Sequence, residues 1–295
     1  MKNMTSRVSF SKPNFELFGM LGLKSIDMHY HTQYSDTMTR IDNILRKASR
    51  LGIGVAITDH NEQKGVLSAM NNNYGVPIIP GMEVSCSDGP HILVYFYNVS
   101  ELQAFFKRHI ERARGKDPHG MTSLSVNQLF SCLENYNCVT SAAHPYGYKL
   151  ADLGLAKCVR KGYVEEDTLQ RVDALEVISG AAPRPLNQKA CTKAEELGKP
   201  ITGGSDGHTL LELGRIVTCS YAEDNDTFLE NILKKKNYVV GTETKLITSL
   251  FQAGKIFVKH YEHPGAALKN LYKSKLDRRA IKAKEQLAKR LKREP

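Results

Sequence analysis

Between residues 25 and 220 the chain alternates short apolar runs with longer amphipathic ones, and that rhythm limits the folds open to it. The runs 25–28, 54–58, 77–80, 92–97, 139–143, 174–178, 201–203 and 215–220 are rich in Val, Ile and Ala. Several of them do not alternate apolar with polar residues. Strands of this kind are buried on both faces, as in a parallel sheet covered by helices. Residues 39–50 place Ile41, Ile44, Leu45 and Ala48 at helical spacing, with Gly52 as a stop signal. The segments 101–114, 126–134, 186–197 and 226–235 also read as helices, the last capped by Asn225 or Asp226. Strand–helix alternation over this length implies βαβ units. Seven or eight strands predict an α/β fold of the closed (β/α) barrel type, with a doubly wound sheet as the alternative.

The chain has 295 residues, 41% of them hydrophobic and 24% charged, which are globular values and exclude a disordered or fibrous class for the bulk. No apolar run approaches the ~18 residues of a transmembrane helix. The first residues lack the apolar stretch of a secretory signal, so a cytoplasmic location is expected. Six scattered cysteines without a CxxC pair predict reduced thiols. The net charge is +10, and residues 266–295 alone hold eleven Lys and Arg against three Asp and Glu. The basic character therefore belongs to the tail. We divide the chain into an N-terminal extension (1–20), a main unit (21–245) and a linker with a basic helical tail (246–295). The tail either packs its leucines on the barrel or binds phosphate backbones or an anionic membrane surface. Its single aromatic residue, Tyr272, gives base stacking little support.

Chemistry collects where the predicted strands end. The first ends in Asp27-Met28-His29-Tyr30-His31 and the second in Thr58-Asp59-His60. The third runs into Gly81-Met82-Glu83, residues 139–143 into His144-Pro145, and 201–203 into Gly204-Ser205-Asp206-Gly207-His208. In a parallel barrel these ends open on one face, where active sites sit. Imidazoles and carboxylates without cysteine suit Zn, Mn or Fe(II). In His29-x-His31 both side chains leave an extended segment on the same side, and Asp206-x-His208 repeats the pattern. Asp36 follows a short loop from the His pair and can curl back, and Glu83 could bridge two metals. His91 precedes its strand. The turn-like segment 85–90 would fold it back beside Glu83; the alternative is a surface turn histidine.

Taken together, the segments 27–36, 57–60, 81–83, 143–145 and 204–208 resemble the PHP (polymerase and histidinol phosphatase) family, over about two thirds of the chain. The resemblance implies a distorted (β/α)7, TIM-like barrel, a site of two or three divalent metal ions, and phosphoester hydrolysis. On matching positions the ligands would be His29, His31, Asp36, His60, Glu83, His91, His144, Asp206 and His208. Thr37 departs from the glycine frequent in the family after the Asp. The segment beyond residue 245 lies outside the resemblance.

A metal-activated water would then attack phosphorus, with the cations neutralising phosphoryl charge. Asp59, Asp206 or a metal-bound water would protonate the leaving group. Arg184, after the 174–178 strand, is a candidate phosphate-binding residue, and Asn187 a candidate hydrogen-bond partner. Tyr34 and Tyr146 flank metal motifs and could stack on a base or sugar. The favoured substrate is a small phosphomonoester such as a nucleotide. The alternatives are a 5′–3′ exonuclease guided by the basic tail and a non-catalytic binding module. A metal-dependent amidohydrolase ranks below these, because no strand end supplies a bridging lysine.

Overall fold

The computed structural model describes residues 7–71, 74–115, 120–147 and 154–243. The expected linker and basic tail, together with His119, His260 and His263, lie outside the described residues.

Each apolar run becomes a strand. The strands are β1 (Val8–Ser9), β2 (Lys24–Tyr30), β3 (Gly54–Ile57), β4 (Ile78–Ser85), β5 (His91–Phe96), β6 (Cys138–Ala142), β7 (Ala174–Ser179), β8 (Ile201–Gly204), β9 (Ile216–Ser220) and β10 (Asn237–Gly241). They form one curled sheet in the order β1-β10-β9-β2-β3-β4-β5-β6-β7-β8. Beyond β8 the chain returns to β2, where Gly207 bridges to Tyr30 and the His31 amide donates to the Gly207 carbonyl at 3.1 Å.

The sheet is mixed, which corrects the expectation of a parallel one. β2–β3–β4 and β6–β7–β8 run parallel, whereas β5 is antiparallel to both β4 and β6, and β9 to both β2 and β10. Chain length explains the β4–β5 reversal. Only residues 86–90 join the two strands, too few for the dozen or so that a parallel crossover needs. The reversal puts the first residue of β5, His91, opposite Ser85 at the last residue of β4.

The helices are α1 (Phe15–Met20), α2 (Ile41–Leu51), α3 (Lys64–Met70), α4 (Val99–Phe105), α5 (Val126–Leu133), α6 (Leu155–Arg160), α7 (Thr168–Arg171), α8 (Arg184–Glu196) and α9 (Asn225–Leu233). α2 buries Ile41, Ile44, Leu45 and Ala48 and ends at Gly52, whose φ of 65° is the left-handed cap that glycine adopts freely. The segment read as one helix over 101–114 is instead α4 followed by a π-helical turn, Phe106–Ile110. The cap of α9 is Asp224, whose side chain accepts from the Thr227 amide, not Asn225 or Asp226.

Alternate strand residues divide between two cores. Ile26, Met28, Ala56, Ile79, Leu93, Tyr95 and Val139 face inward, where Phe228, Leu229 and Ile232 of α9 cover them. Val55, Ile57, Val84, Val94 and Phe96 face outward beneath the other helices. Asn225, at the start of α9, donates to the carbonyl of Ile78, the first residue of β4. α9 therefore closes the inner core at the end opposite the histidines. None of the helices among the described residues is long and apolar enough to cross a membrane.

Candidate metal centre

The nine residues singled out as ligands converge on one buried cluster around Glu83. Glu83 Oε2 lies 3.2 Å from His29 Nε2, 3.2 Å from His60 Nδ1 and 3.3 Å from His31 Nε2. Its other oxygen, Oε1, lies 3.0 Å from His91 Nδ1 and 3.1 Å from His144 Nε2. Asp206 Oδ1 approaches His31 Nε2 at 3.3 Å and His29 Nε2 at 3.6 Å. Asp36 Oδ2 meets His208 Nε2 at 3.0 Å and His60 Nε2 at 3.7 Å. His91 is therefore at the site, folded back by the antiparallel β5, and is not a surface turn histidine.

The donor set, imidazoles and carboxylates with no thiol, fits divalent cations. His29 Nδ1 donates to Glu176 Oε1 at 2.9 Å. With the proton on Nδ1, the Nε2 lone pair of a neutral His29 points at the oxygens of Glu83 and Asp206. His208 Nδ1 likewise donates to the Asp206 carbonyl at 2.9 Å, which aims the Nε2 lone pair at Asp36. Lone pairs facing lone pairs repel, and either a proton on the imidazole or a shared cation satisfies both. His31 Nδ1 is buried without a hydrogen-bond partner among the described residues. Four ligand triads have donor atoms close enough to share an ion: His29/His31/Asp206, His29/Glu83/His144, His31/Asp36/His60 and His60/Glu83/His91.

The electrostatics agree. Burial opposes ionisation of Glu83, yet His60, His29 and His91 hold its carboxyl well below the usual carboxylate range. Asp36 is buried too, and His208, His60 and His31 depress its carboxyl in the same way. Burial works against a charged His29 as well, and the carboxylates of Glu176, Asp206 and Glu83 outweigh it and raise the imidazole well above its ordinary value. Carboxylates held ionised in a buried cluster attract positive charge, whether a proton on an imidazole or a metal ion.

A second layer aims the first. Glu176, in β7, receives the His29 ring with one oxygen and the His144 amide with the other, at 2.7 Å. Asp27 accepts from the Ser205 amide (2.8 Å), the Ser205 hydroxyl (2.7 Å) and the Gly214 amide (3.0 Å), fixing the turn that carries Asp206. Glu212 accepts from the His208 and Thr209 amides at 3.0 and 2.9 Å. The Ser35 hydroxyl accepts from the His60 amide and donates to Asp36. Thr37, the departure from the family pattern, donates its hydroxyl to the His208 carbonyl and so ties the Asp36 loop to the His208 loop. His144 and Asp206 adopt positive φ, 28° and 46°, a backbone conformation that costs energy in residues other than glycine.

Neither Glu176 nor Glu212 stands in a motif. The available signal for Glu176 is an acid in the middle of an otherwise apolar strand, Ala174–Ser179.

The remaining candidates fall outside the cluster. Both oxygens of Asp59 engage Thr32, through its amide and its hydroxyl, each at 2.7 Å. Burial pushes the Asp59 carboxyl up to about 6, against the Thr32 hydrogen bonds and the His31 charge. Arg184 forms a two-pronged pair with Glu243 and lies over the Phe10 ring at 4.3 Å. Asn187 is buried and fastens the turn after β7, accepting from the Ser179 amide at 3.1 Å and donating to the Ser179 carbonyl at 3.0 Å. Tyr34 and Tyr146 are half-buried and pack against the outer core.

Comparison with known proteins follows the same line. The PHP domain profile matches residues 27–182, and the PHP-associated C-terminal profile matches 184–237. No curated protein matches the chain. A solved candidate metal-dependent phosphoesterase from Bifidobacterium adolescentis aligns with a TM-score of 0.50 and 20% identity, covering 76% of this chain and 98% of its own. Endonuclease Q bound to a 27-mer duplex with an abasic lesion at its active site aligns with a TM-score of 0.57 and 16% identity, covering 75% of this chain. The lesion-specific endonuclease Q of Pyrococcus furiosus aligns at 0.56 and 16%, covering 74%. This chain spans only 60% and 57% of those two nucleases. At such identities the likeness establishes the fold. The family profiles, which cover the segments carrying all nine clustered residues, establish more: the chain belongs to the PHP family of metal-dependent phosphoesterases.

Proposed function

We propose that the protein hydrolyses a small phosphomonoester such as a nucleotide. In this reading residues 21–245 form the phosphoesterase unit, a derivative of the family's seven-stranded barrel. His29, His31, Asp36, His60, Glu83, His91, His144, Asp206 and His208 hold two or three divalent ions of Mn, Zn or Fe. The observation that carries the proposal is the Glu83 carboxylate, whose two oxygens face separate sets of imidazoles, so that Glu83 with those imidazoles would hold the ions. Ions held there supply Lewis acidity, which lowers the pKa of a nucleophilic water and neutralises phosphoryl charge.

The chain's own residues do the rest. His60 and His91 are the most exposed of the nine, at 12% and 16%, so the substrate reaches the site along their edge. Asp206, whose carboxylate lies among the imidazoles, is better placed than Asp59 to move a proton at the reacting centre. Asp59 holds Thr32, and through it the backbone following His31.

The second reading is 5′–3′ exonuclease action with residues 266–295 as a substrate guide, in a cytoplasmic setting. The basic tail favours it, as does the likeness to nucleases that act on DNA. A 5′-phosphorylated, internally labelled RNA incubated with manganese separates the two. Loss of the terminal phosphate at constant chain length supports the first, and stepwise release of mononucleotides the second. Failure to hydrolyse both this RNA and a panel of nucleoside monophosphates contradicts both.

A further inference from the structure

A cavity of about 340 Å³ lies away from the candidate metal centre, between α1, α2 and the chain entering β9. Its lining mixes apolar and cationic side chains. Phe15, Leu51 and Leu213 supply apolar surface, and Lys12, Lys47 and Arg215 supply three cationic side chains, Lys47 and Arg215 near enough to feel one another's charge. No carboxylate lines it among the described residues. Three like charges around one cavity repel one another unless something negative sits between them.

The cations are only partly occupied by the protein. The Lys47 ammonium donates to the Leu210 carbonyl, and Arg215 Nη2 donates to the Glu243 carbonyl at 3.1 Å. Both partners are backbone oxygens, which satisfy geometry without neutralising charge. Arg215 Nε is buried and has no hydrogen-bond partner among the described residues. A guanidinium lining a cavity is suited to a planar or tetrahedral oxyanion. Burial pulls the Lys47 ammonium below its ordinary value. Arg215 acts in the same direction, and the charges of Asp27 and Glu212 oppose it.

Gly214 forms part of the cavity wall with φ of +78°, and its amide donates to Asp27, the same carboxylate that holds Ser205. The cavity thus backs onto the layer that positions Asp206 while sharing none of the nine candidate ligands.

We propose that this cavity is a second, metal-independent binding site for an organic anion, with a phosphate-like head between Lys47 and Arg215 and an apolar body against Phe15 and the leucines. The site does not depend on the phosphoesterase reading.

Phenylphosphonate is a suitable probe, because its C–P bond resists hydrolysis and it carries both halves of the ligand. The full-length, manganese-loaded protein is titrated with it by calorimetry, and again after chelation. One saturable event should survive chelation. Its dissociation constant should rise tenfold or more in Lys47→Gln and in Arg215→Gln, and remain unchanged in Lys234→Gln, which removes an exposed lysine elsewhere. Lys12→Gln, at an exposed position with no fold-bearing contact among the described residues, should weaken it several-fold even if the other two variants misfold. Inorganic phosphate should bind more weakly, since it leaves the apolar surface uncovered. Loss of all saturable binding on chelation overturns the proposal. So do unchanged constants in the lining variants, or phosphate binding as tightly as phenylphosphonate.

Discussion

Glu176 Oε1 sits 2.9 Å from the Nδ1 of His29, and the opposite oxygen of the same carboxylate holds the backbone amide of His144 at 2.7 Å. One buried acid therefore fixes the tautomer of one candidate ligand and the strained backbone of another. Glutamine at this position has a single acceptor oxygen for those two donors. Glu176→Gln should weaken metal binding by about 10–100-fold, the usual range for partners behind metal ligands. Competition with a fluorescent chelator measures it; metal retention equal to the wild type would contradict the role.

Glu83 makes a stronger demand. Its two oxygens each face a different group of imidazoles, so Glu83→Gln removes the charge shared between them. Elemental analysis of the purified variant should show at least one metal ion fewer per chain. Phosphate release should fall further than it does in Glu176→Gln, whose metal affinity drops by only about 10–100-fold. Full metal stoichiometry in the variant would argue against a bridging position.

Much of this cluster is legible in the sequence. His29, His31, His60, Asp206 and His208 stand at strand ends, where a barrel-like sheet gathers side chains on one rim. His91 was readable only through the turn at 85–90, and its placement came from the reversal of β5 that so short a connection enforces. Apolar patterning carries no information on strand direction, so the sequence predicts a parallel sheet and does not show that β5 and β9 run antiparallel. Glu176 had no motif to announce it. Its role is set by register, because β7 brings it beneath His29, whose strand is more than a hundred residues away in sequence. Arg184 followed a strand as expected. Its guanidinium is nevertheless held by Glu243, from a segment in which no partner was anticipated.

Gly65 permits a close approach that the layer behind the site depends on. A Cβ there would lie 1.9 Å from Asp59 Oδ2 and 2.8 Å from the Thr32 hydroxyl. Gly65→Ala should therefore displace Asp59 from Thr32 and destabilise the fold by about 1–3 kcal/mol, as overpacking does. That amounts to several degrees in Tm, measurable by calorimetry. An unchanged Tm would mean that α3 moves freely away from Asp59.

Asp88 supplies a test of pH dependence away from the metal centre. Burial pushes its carboxyl up to about 6, against the hydrogen bond from the Val126 amide at the start of α5. The folded protein thus binds this proton more tightly than the unfolded chain, whose value is ordinary. The stability from this group is fully present below about pH 4 and is lost as pH rises through about 6. Asp88→Asn keeps an oxygen for Val126 and removes the titration. The Tm of the variant relative to the wild type should climb between pH 4 and 7; a difference independent of pH would contradict the burial argument.

The central claim is that the Glu83 cluster works as a metal-dependent phosphoesterase site. Its most direct test is phosphate release from a nucleoside monophosphate by the full-length chain, measured after chelation, after adding manganese back, and in His29→Ala with manganese present. Release should stop on chelation, return with manganese and stay absent in His29→Ala. Hydrolysis that survives chelation, or a His29→Ala variant as active as the wild type, would contradict it.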